Sequence, residues 1–136
     1  MPPYKYLANR VLTIVENAAF GTHFTELHTG MRAYRREVLE TLPLEANSDD
    51  FVFDSQVIAQ AHHFGFRLAE ISVSARYTAE VSSIGFARSV VYGMGTLATV
   101  TRYLLHRCGI RRSAIFTAPA PTATSLPAQA GGSRVA

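Results

Sequence analysis

Apolar residues recur at helical spacing in two long stretches of the sequence. Residues 4–20 predict an amphipathic helix that ends at Gly21, because glycine readily adopts the backbone conformation found after helix C-termini. Residues 86–107 predict a second long helix, with basic side chains opposite an apolar face. The apolar positions are Leu7, Val11, Ile14, Val15 and Ala18 in the first helix, and Val90, Met94, Leu97 and Leu104, with Thr101 among them, in the second.

Shorter elements are predicted between these helices. A loop over residues 22–32 leads into a short extended piece, and a short helix over residues 35–42 ends at Pro43. A third helix over residues 51–64 ends at Gly65. Residues 67–77 alternate between apolar and polar side chains, which predicts a half-buried strand. The mixture of helices and strand predicts an α/β fold.

The composition limits the chain to one domain with a tail. Beyond Phe116 the sequence is rich in Ala, Pro, Thr and Gly and offers little to bury, so we expect a folded domain over residues 1–112 and a disordered tail over 113–136. One cysteine, Cys108, excludes an internal disulfide and a multi-cysteine metal site. The most apolar run, residues 89–105, is too short and too polar to cross a bilayer.

Charge is distributed unevenly along the chain. Residues 1–80 contain seven Lys or Arg and ten acids, whereas residues 81–136 contain six Arg and no acid. The basic helix over 86–107 therefore either packs on its own domain with a solvated polar face, or lies on an anionic membrane surface. Lysine is scarce and no nucleic-acid-binding motif is present, so we expect no nucleic acid partner.

Two adjacent carboxylates, Asp49 and Asp50, stand just before the predicted third helix. Acids at this position stabilise the free amides and the dipole of a helix start, so capping alone explains them. The alternative is that one of them is a general base, which takes a proton from an attacking hydroxyl or orients a phosphate nucleophile. Spacing does not decide between the two roles.

A second candidate cluster is the loop that contains Thr29, Gly30 and Arg32. A hydroxyl, a glycine and an arginine can hold a phosphate, because the guanidinium presents a fixed fork of donors and glycine lets backbone amides approach. The same residues also occur in ordinary surface loops. Farther along, Arg76 either neutralises a phosphate beside Ser82 or pairs with a surface acid. A metal site is not expected from Glu26, His28, His62 and His63, because adjacent histidines point to different faces of a helix.

Five blocks in this order resemble bacterial family 2 glycosyltransferases. They are MPPYKYLANRVLT, HTGMRAYRREVLE, NSDDFVFDSQ, GFRLAEISVSARY and SSIGFARSVVYGMGTL, and the resemblance covers residues 1–112. The similar enzymes are polyprenyl- or dolichyl-phosphate hexosyltransferases with the GT-A fold. The resemblance implies an incomplete GT-A domain with few strands and about four helices. It also implies transfer of a hexose from a nucleotide sugar to a lipid-phosphate acceptor, in the cytoplasm or on the inner face of the membrane.

The same resemblance assigns roles to residues. Asp50 or Asp49 would be the base, and the acceptor phosphate would contact Thr29, Gly30, Arg32, Arg76 and Ser82. Ser82 is followed by Ser83, where some relatives have lysine. The intact enzymes use Mg²⁺ or Mn²⁺ bound by an Asp-x-Asp motif, which does not occur in this sequence.

Met1 matches an internal methionine of the family. We therefore expect a truncated product, a misplaced start or one half of a split enzyme, with a separately encoded N-terminal half as a possible partner. We expect the chain not to turn over alone. The alternative is a non-catalytic module that binds a membrane surface or a partner.

Overall fold

Helices form the architecture of this chain. The computed structural model describes residues 3–28, 30–74 and 85–119. Within them lie the α-helices α1 (Pro3–Phe20), α2 (Arg36–Thr41), α3 (Phe53–His63) and α4 (Phe86–Arg107), with 3₁₀ turns at Leu44–Ala46 and Ala114–Phe116. The four predicted helices are confirmed, each to within two residues at either end. Gly21 and Gly65 follow α1 and α3 with φ of 68° and 80°, the left-handed conformation that glycine adopts without strain.

Helix α4 is the central element and packs against both α1 and α3. Two glycines of α4 lie at these contacts. A Cβ atom at Gly93 would lie 3.8 Å from the Leu12 side chain on α1. A Cβ atom at Gly95 would overlap a methyl group of Val52, the residue that precedes α3. Gly95 therefore allows α4 to approach the start of α3 closely, whereas a Cβ atom at Gly93 would make an ordinary van der Waals contact with α1.

The core consists of two apolar clusters on either side of α3. In the larger one the Phe20 and Tyr103 rings meet edge to face, with centroids 5.0 Å apart, and Phe116 packs on Tyr103 at 5.7 Å. Edge-to-face packing of this kind adds a favourable electrostatic contribution to the buried area. The remaining buried members of the larger cluster are Leu27, Ile58, Ala59, Val100 and Ile115, and the smaller cluster consists of Leu42, Val57 and Ala61.

The apolar faces recognised in the sequence are not the faces that α1 and α4 bury. Leu7 and Ile14 on α1 are each 64% exposed, and Met94 on α4 is 63% exposed. The two helices instead bury mixed faces: Leu12, Thr13, Glu16 and Phe20 on α1, and Thr96, Thr99, Val100 and Tyr103 on α4. Helix α4 does pack on its own domain, but through this second face.

The predicted α/β fold is wrong, and with it the incomplete GT-A sheet. No strand occurs in residues 3–28, 30–74 or 85–119. Residues 67–74, the described part of the predicted strand, have no regular secondary structure and no neighbouring strand, and Ile71 is 81% exposed. An alternating pattern produces a strand only where backbone amides and carbonyls find a partner strand. The remainder of that predicted strand, residues 75–77, lies outside the described residues.

Packing extends past the predicted domain boundary at residue 112. Ile115 and Phe116 are 3% and 2% exposed and contribute to the larger cluster. Residues 120–136 of the predicted tail lie outside the part of the chain that the structure describes. None of the described helices is long and apolar enough to cross a membrane.

Candidate functional site

Two open depressions lie side by side where the start of α3 meets the N-terminal half of α4. The first has a volume of about 310 Å³ and is lined by Asp50, Phe51, Arg88, Val91 and Tyr92. The second has a volume of about 300 Å³ and is lined by Asp49, Asp50, Phe51, Phe53 and Asp54. Asp50 and Phe51 belong to both depressions, so the predicted acidic pair lies at their junction.

Asp50 is fixed by bonds to the backbone around it. The Phe51 amide donates to Asp50 Oδ1 at 2.7 Å, and the Asp50 amide donates to Ser48 Oγ at 3.3 Å. The Asp50 carbonyl accepts from the Phe53 amide at 2.8 Å. The Asp50 carboxylate thus binds the amide of the next residue, while α3 itself begins without a side-chain cap. Both Asp49 and Asp50 remain exposed to solvent, so either can reach a ligand.

Arg32 approaches the second depression from the loop before α2. Its Nη2 donates to the Leu27 carbonyl at 2.6 Å, and its Nε lies 3.9 Å from Asp54 Oδ2. The buried Tyr34 hydroxyl lies nearby without a well-aligned hydrogen-bond partner. Burial raises the pKa of Tyr34, and the positive charge of Arg32 opposes the shift. Arg32 is therefore connected to the depressions through Asp54.

The loop over residues 22–28 is held on the buried polar face of α1. Asn17 binds both backbone groups of Phe24: its Nδ2 donates to the carbonyl at 2.8 Å, and its Oδ1 accepts from the amide at 3.0 Å. The Leu27 amide donates to Thr13 Oγ1 at 3.4 Å. These bonds place the next residue, His28, directly over α1.

His28 joins a buried acid to a tyrosine of the first depression. Its Nε2 lies 3.0 Å from Glu16 Oε2, and the two side chains are only 2% and 1% exposed. Those two atoms are poorly aligned for a hydrogen bond, so their contact is mainly Coulombic attraction when His28 carries a charge. On its other side, His28 Nδ1 makes a short hydrogen bond with the Tyr92 hydroxyl. The result is a continuous chain of side chains, Glu16–His28–Tyr92, that runs from α1 to α4.

The Tyr92 hydroxyl lies among further polar groups of the helix interface. Burial raises the pKa of Tyr92 above its ordinary value, and side-chain hydrogen bonds with Ser55 and Thr96 partly offset the shift. The Ser55 and Thr96 hydroxyls also lie 3.3 Å from each other. Tyr92 consequently keeps its proton at neutral pH and acts there as a hydrogen-bond donor and acceptor.

The structure brings together some of the residues predicted from the sequence. Asp49, Asp50 and Arg32 all lie at or beside the two depressions. Gly30 is exposed, with nothing within 4 Å of a Cβ placed on it. The other predicted residues, Thr29, Arg76 and Ser82, lie outside the described residues.

Glu16 and Tyr92 were not predicted from the sequence to be members of a site. The signal for Glu16 was its position midway between Leu12 and Phe20, four residues from each, which places a carboxylate on the face that α1 buries. Tyr92 lies four residues after Arg88 on α4, so the two share a side of the helix. The role of Arg88 in lining the first depression follows from the same spacing.

Among the described residues, no side-chain group fits the divalent ion that the glycosyltransferase resemblance implies. Three aspartates line the second depression, yet no group of three His, Cys, Asp or Glu side chains in residues 3–28, 30–74 and 85–119 could hold a metal ion.

Comparison with known proteins adds no assignment: no protein-family model matches the sequence, and no solved structure is significantly similar to the fold.

Proposed function

We propose that this chain is the acceptor-binding part of a glycosyltransferase that transfers a hexose from a nucleotide sugar to a phosphate-bearing acceptor such as a polyprenyl phosphate. One observation carries the proposal: Asp50, Arg88 and Tyr92 line the same depression. A carboxylate beside a guanidinium offers a proton acceptor and an anion-binding group to one ligand. The resemblance of the surrounding sequence to family 2 glycosyltransferases supports the same assignment.

In the proposed reaction the acceptor phosphate binds Arg88. A phosphate oxygen forms the bond to the anomeric carbon of the hexose while the bond from that carbon to the nucleoside diphosphate breaks. Asp50 orients the attacking oxygen and takes its proton if the phosphate enters as the monoanion. Arg88 also offsets the repulsion between the acceptor phosphate and the Asp50 carboxylate. The donor nucleotide and its metal ion would bind elsewhere, since the described residues provide no metal group.

The proposal is tested by titrating the chain with farnesyl phosphate and following backbone amide shifts by NMR. We expect saturable shifts around the first depression. Arg88→Gln should weaken binding about tenfold or more, because a hydrogen bond to a charged group contributes about 1.5 to 3 kcal/mol. Arg102→Gln is the matched control, because Arg102 is exposed on the same helix and does not line the depression. Equal losses for both variants, or no saturable shifts, would refute the assignment.

The two aspartates provide a second comparison. Asp50→Asn should leave farnesyl phosphate binding intact or strengthen it, because it removes a negative charge from the binding site. Asp49→Asn should have a smaller effect, since Asp49 lines only the second depression. We expect no sugar transfer by the purified chain with Mn²⁺ and a nucleotide sugar. Sugar transfer under those conditions would show that the chain holds a complete active site.

A second candidate function is a non-catalytic binding module, and one observation favours it. Apolar side chains of both α1 and α4 are exposed, and the rings of Tyr4 and Phe86 lie 5.8 Å apart. A helix such as α4, which exposes apolar side chains together with Arg88, Arg102 and Arg107, suits an anionic membrane. Co-sedimentation with phosphatidylglycerol vesicles tests it. Binding should disappear when Arg88, Arg102 and Arg107 are all replaced by Glu, and binding that survives this replacement would exclude an electrostatic membrane role.

A further inference from the structure

The buried pair Glu16 and His28 lies directly behind the wall of the first depression. Tyr92 lines that depression and its hydroxyl binds His28 Nδ1, while His28 Nε2 faces Glu16 Oε2 at 3.0 Å. Neither Glu16 nor His28 reaches solvent, so neither side chain can contact a ligand directly. A buried acid and base one residue away from an anion site act on that site through their charge and through the shared hydroxyl.

The charge of the pair depends on one proton. With Glu16 ionised and His28 neutral, the pair carries a net negative charge, and in the Nε2–H tautomer the His28 Nδ1 lone pair accepts from the Tyr92 hydroxyl. When His28 takes up a proton, the pair becomes neutral and Nδ1 becomes a donor. The Tyr92 hydroxyl must then give its proton to another acceptor. A negative charge close to an anion site opposes binding, so protonation of His28 favours an anionic ligand.

Other charged groups face the pair and leave this conclusion unchanged. Glu26 accepts the His28 backbone amide at 2.9 Å, and Arg32 lies on the same loop with its Nε near Asp54 of α3. Both Glu16 and Arg32 act electrostatically on Tyr92, with opposite signs. The groups around His28 thus include more acids than bases, and the only histidine in contact with Tyr92 among the described residues is His28.

We propose that Glu16 and His28 are positioning residues that couple the first depression to a proton, so that a phosphate-bearing ligand bound beside Arg88 and Tyr92 takes up a proton at His28. The inference rests on the proposed function for the presence of a phosphate in that depression. Affinity for the ligand then rises as the pH falls through the titration of His28. Full coupling to one proton gives at most about a tenfold change in affinity per pH unit.

The coupling is tested first without a ligand. Imidazole ¹⁵N shifts of His28, followed over a pH series, should show the Nε2–H tautomer at the basic end and the doubly protonated ring at the acidic end. Glu16→Gln, which is isosteric, should move the midpoint of that titration to lower pH, because the imidazolium loses its counter-charge. The Nδ1–H tautomer at high pH, or a midpoint that is the same in the wild type and Glu16→Gln, would overturn the proposal. Helical circular dichroism of the variant confirms that it folds.

The second part of the test measures binding. The probe is the methyl ester of farnesyl phosphate, a phosphodiester whose charge stays constant over this pH range. We expect its affinity to rise about three- to tenfold across the pH range in which the His28 ¹⁵N shifts change, with proton uptake seen as a dependence of the binding enthalpy on the buffer. Glu16→Gln and Tyr92→Phe should reduce this dependence. His23→Gln, at an exposed histidine of the same loop, should keep it.

The outcomes separate this inference from the proposed function. Binding with an affinity that does not change with pH overturns the coupling and leaves the proposed function intact. If His28 takes up a proton as expected but neither farnesyl ligand binds, the coupling and the proposed function are both overturned. Equal loss of pH dependence in Tyr92→Phe and His23→Gln would also count against the coupling through Tyr92.

Discussion

Replacing Gln60 by leucine removes a buried polar side chain that makes several hydrogen bonds in the core. Gln60 lies on α3 and is fully buried, with 0% exposure. Its Nε2 donates to Asn47 Oδ1 and to the Ile115 carbonyl, both at 2.7 Å, and its Oε1 accepts from Asn47 Nδ2 at 2.9 Å. One side chain thus ties α3 to the segments before and after it, near the two 3₁₀ turns. Leucine has a similar volume but can make none of these bonds.

The expected loss of stability depends on the polar groups that lose their hydrogen-bond partner in the Gln60→Leu variant. The Ile115 carbonyl stays buried without this partner, which costs about 1 to 3 kcal/mol. Asn47 is only partly buried and can recover hydrogen bonds with water, so its loss adds about 0.5 to 1.5 kcal/mol. The better transfer of leucine into the core offsets part of this cost. We expect the free energy of unfolding to fall by about 1 to 4 kcal/mol.

Urea denaturation followed by circular dichroism measures the difference. Gln60→Leu should lower the urea midpoint by about 1 to 3 M at an unchanged m-value. Gln56→Leu is the matched control, because the buried Gln56 accepts a single bond, from the Ser48 amide at 2.7 Å. We expect it to cost about 1 kcal/mol. Equal losses for the two variants, or a loss below about 0.5 kcal/mol for Gln60→Leu, would refute the hydrogen-bond reasoning.

Three further predictions concern packing, loop attachment and pH. Gly95→Ala should lower the free energy of unfolding by about 1 to 3 kcal/mol in thermal unfolding, because the new methyl overlaps Val52, and the double variant with Val52→Ala should recover part of the loss. Asn17→Ala should cost about 1 to 2 kcal/mol and speed amide exchange in the loop after α1, whose backbone loses two bonds to this side chain. Burial lowers the pKa of His62 and His63 below their ordinary 6.5, so the unfolded chain binds protons that the folded chain resists. Stability should therefore fall as the pH drops below about 6.5, and a urea midpoint that is constant from pH 7 to about pH 5 would contradict this.

Helix positions were predictable from the sequence because they depend on local signals. Glycine after α1 and α3 and helical periodicity within each segment mark the elements without reference to the rest of the chain. The buried face was not predictable in the same way. Periodicity shows that α1 has an apolar face with Leu7 and Ile14, but burial depends on which helix packs there, and α4 packs against Leu12 instead.

The strand prediction failed for a related reason. The alternation from Arg67 onward is a local pattern, whereas a strand requires a neighbour to accept its backbone hydrogen bonds. In this structure that segment contributes a side chain instead: the Glu70 carboxylate accepts from the backbone amides of Thr25 and Glu26, at 2.9 and 3.3 Å. The segment thereby attaches to the loop that carries His28.

Only part of the candidate site was predictable from the sequence. The predicted part of the site lies in exposed or loop segments, where polar residues are natural candidates for ligand binding. It consists of Asp49, Asp50 and Arg32. Glu16 and Tyr92 lie within long helices. Their spacing shows which face of the helix they occupy, but it does not show which side chains they contact. Their contact with His28 depends on a loop folding back over α1, which is a tertiary event.

Helices α1 and α4 bury polar side chains and expose apolar ones, and this arrangement has a thermodynamic consequence. The helix interfaces bury polar groups such as Glu16, Gln60 and Thr96, while Leu7 and Met94 remain in water. The heat capacity of unfolding rises with newly exposed apolar area and falls with newly exposed polar area. The stability of this chain should therefore vary only slightly with temperature. Any partner that covers the apolar faces would bind with a large negative heat-capacity change, so temperature should affect its association more strongly than its folding.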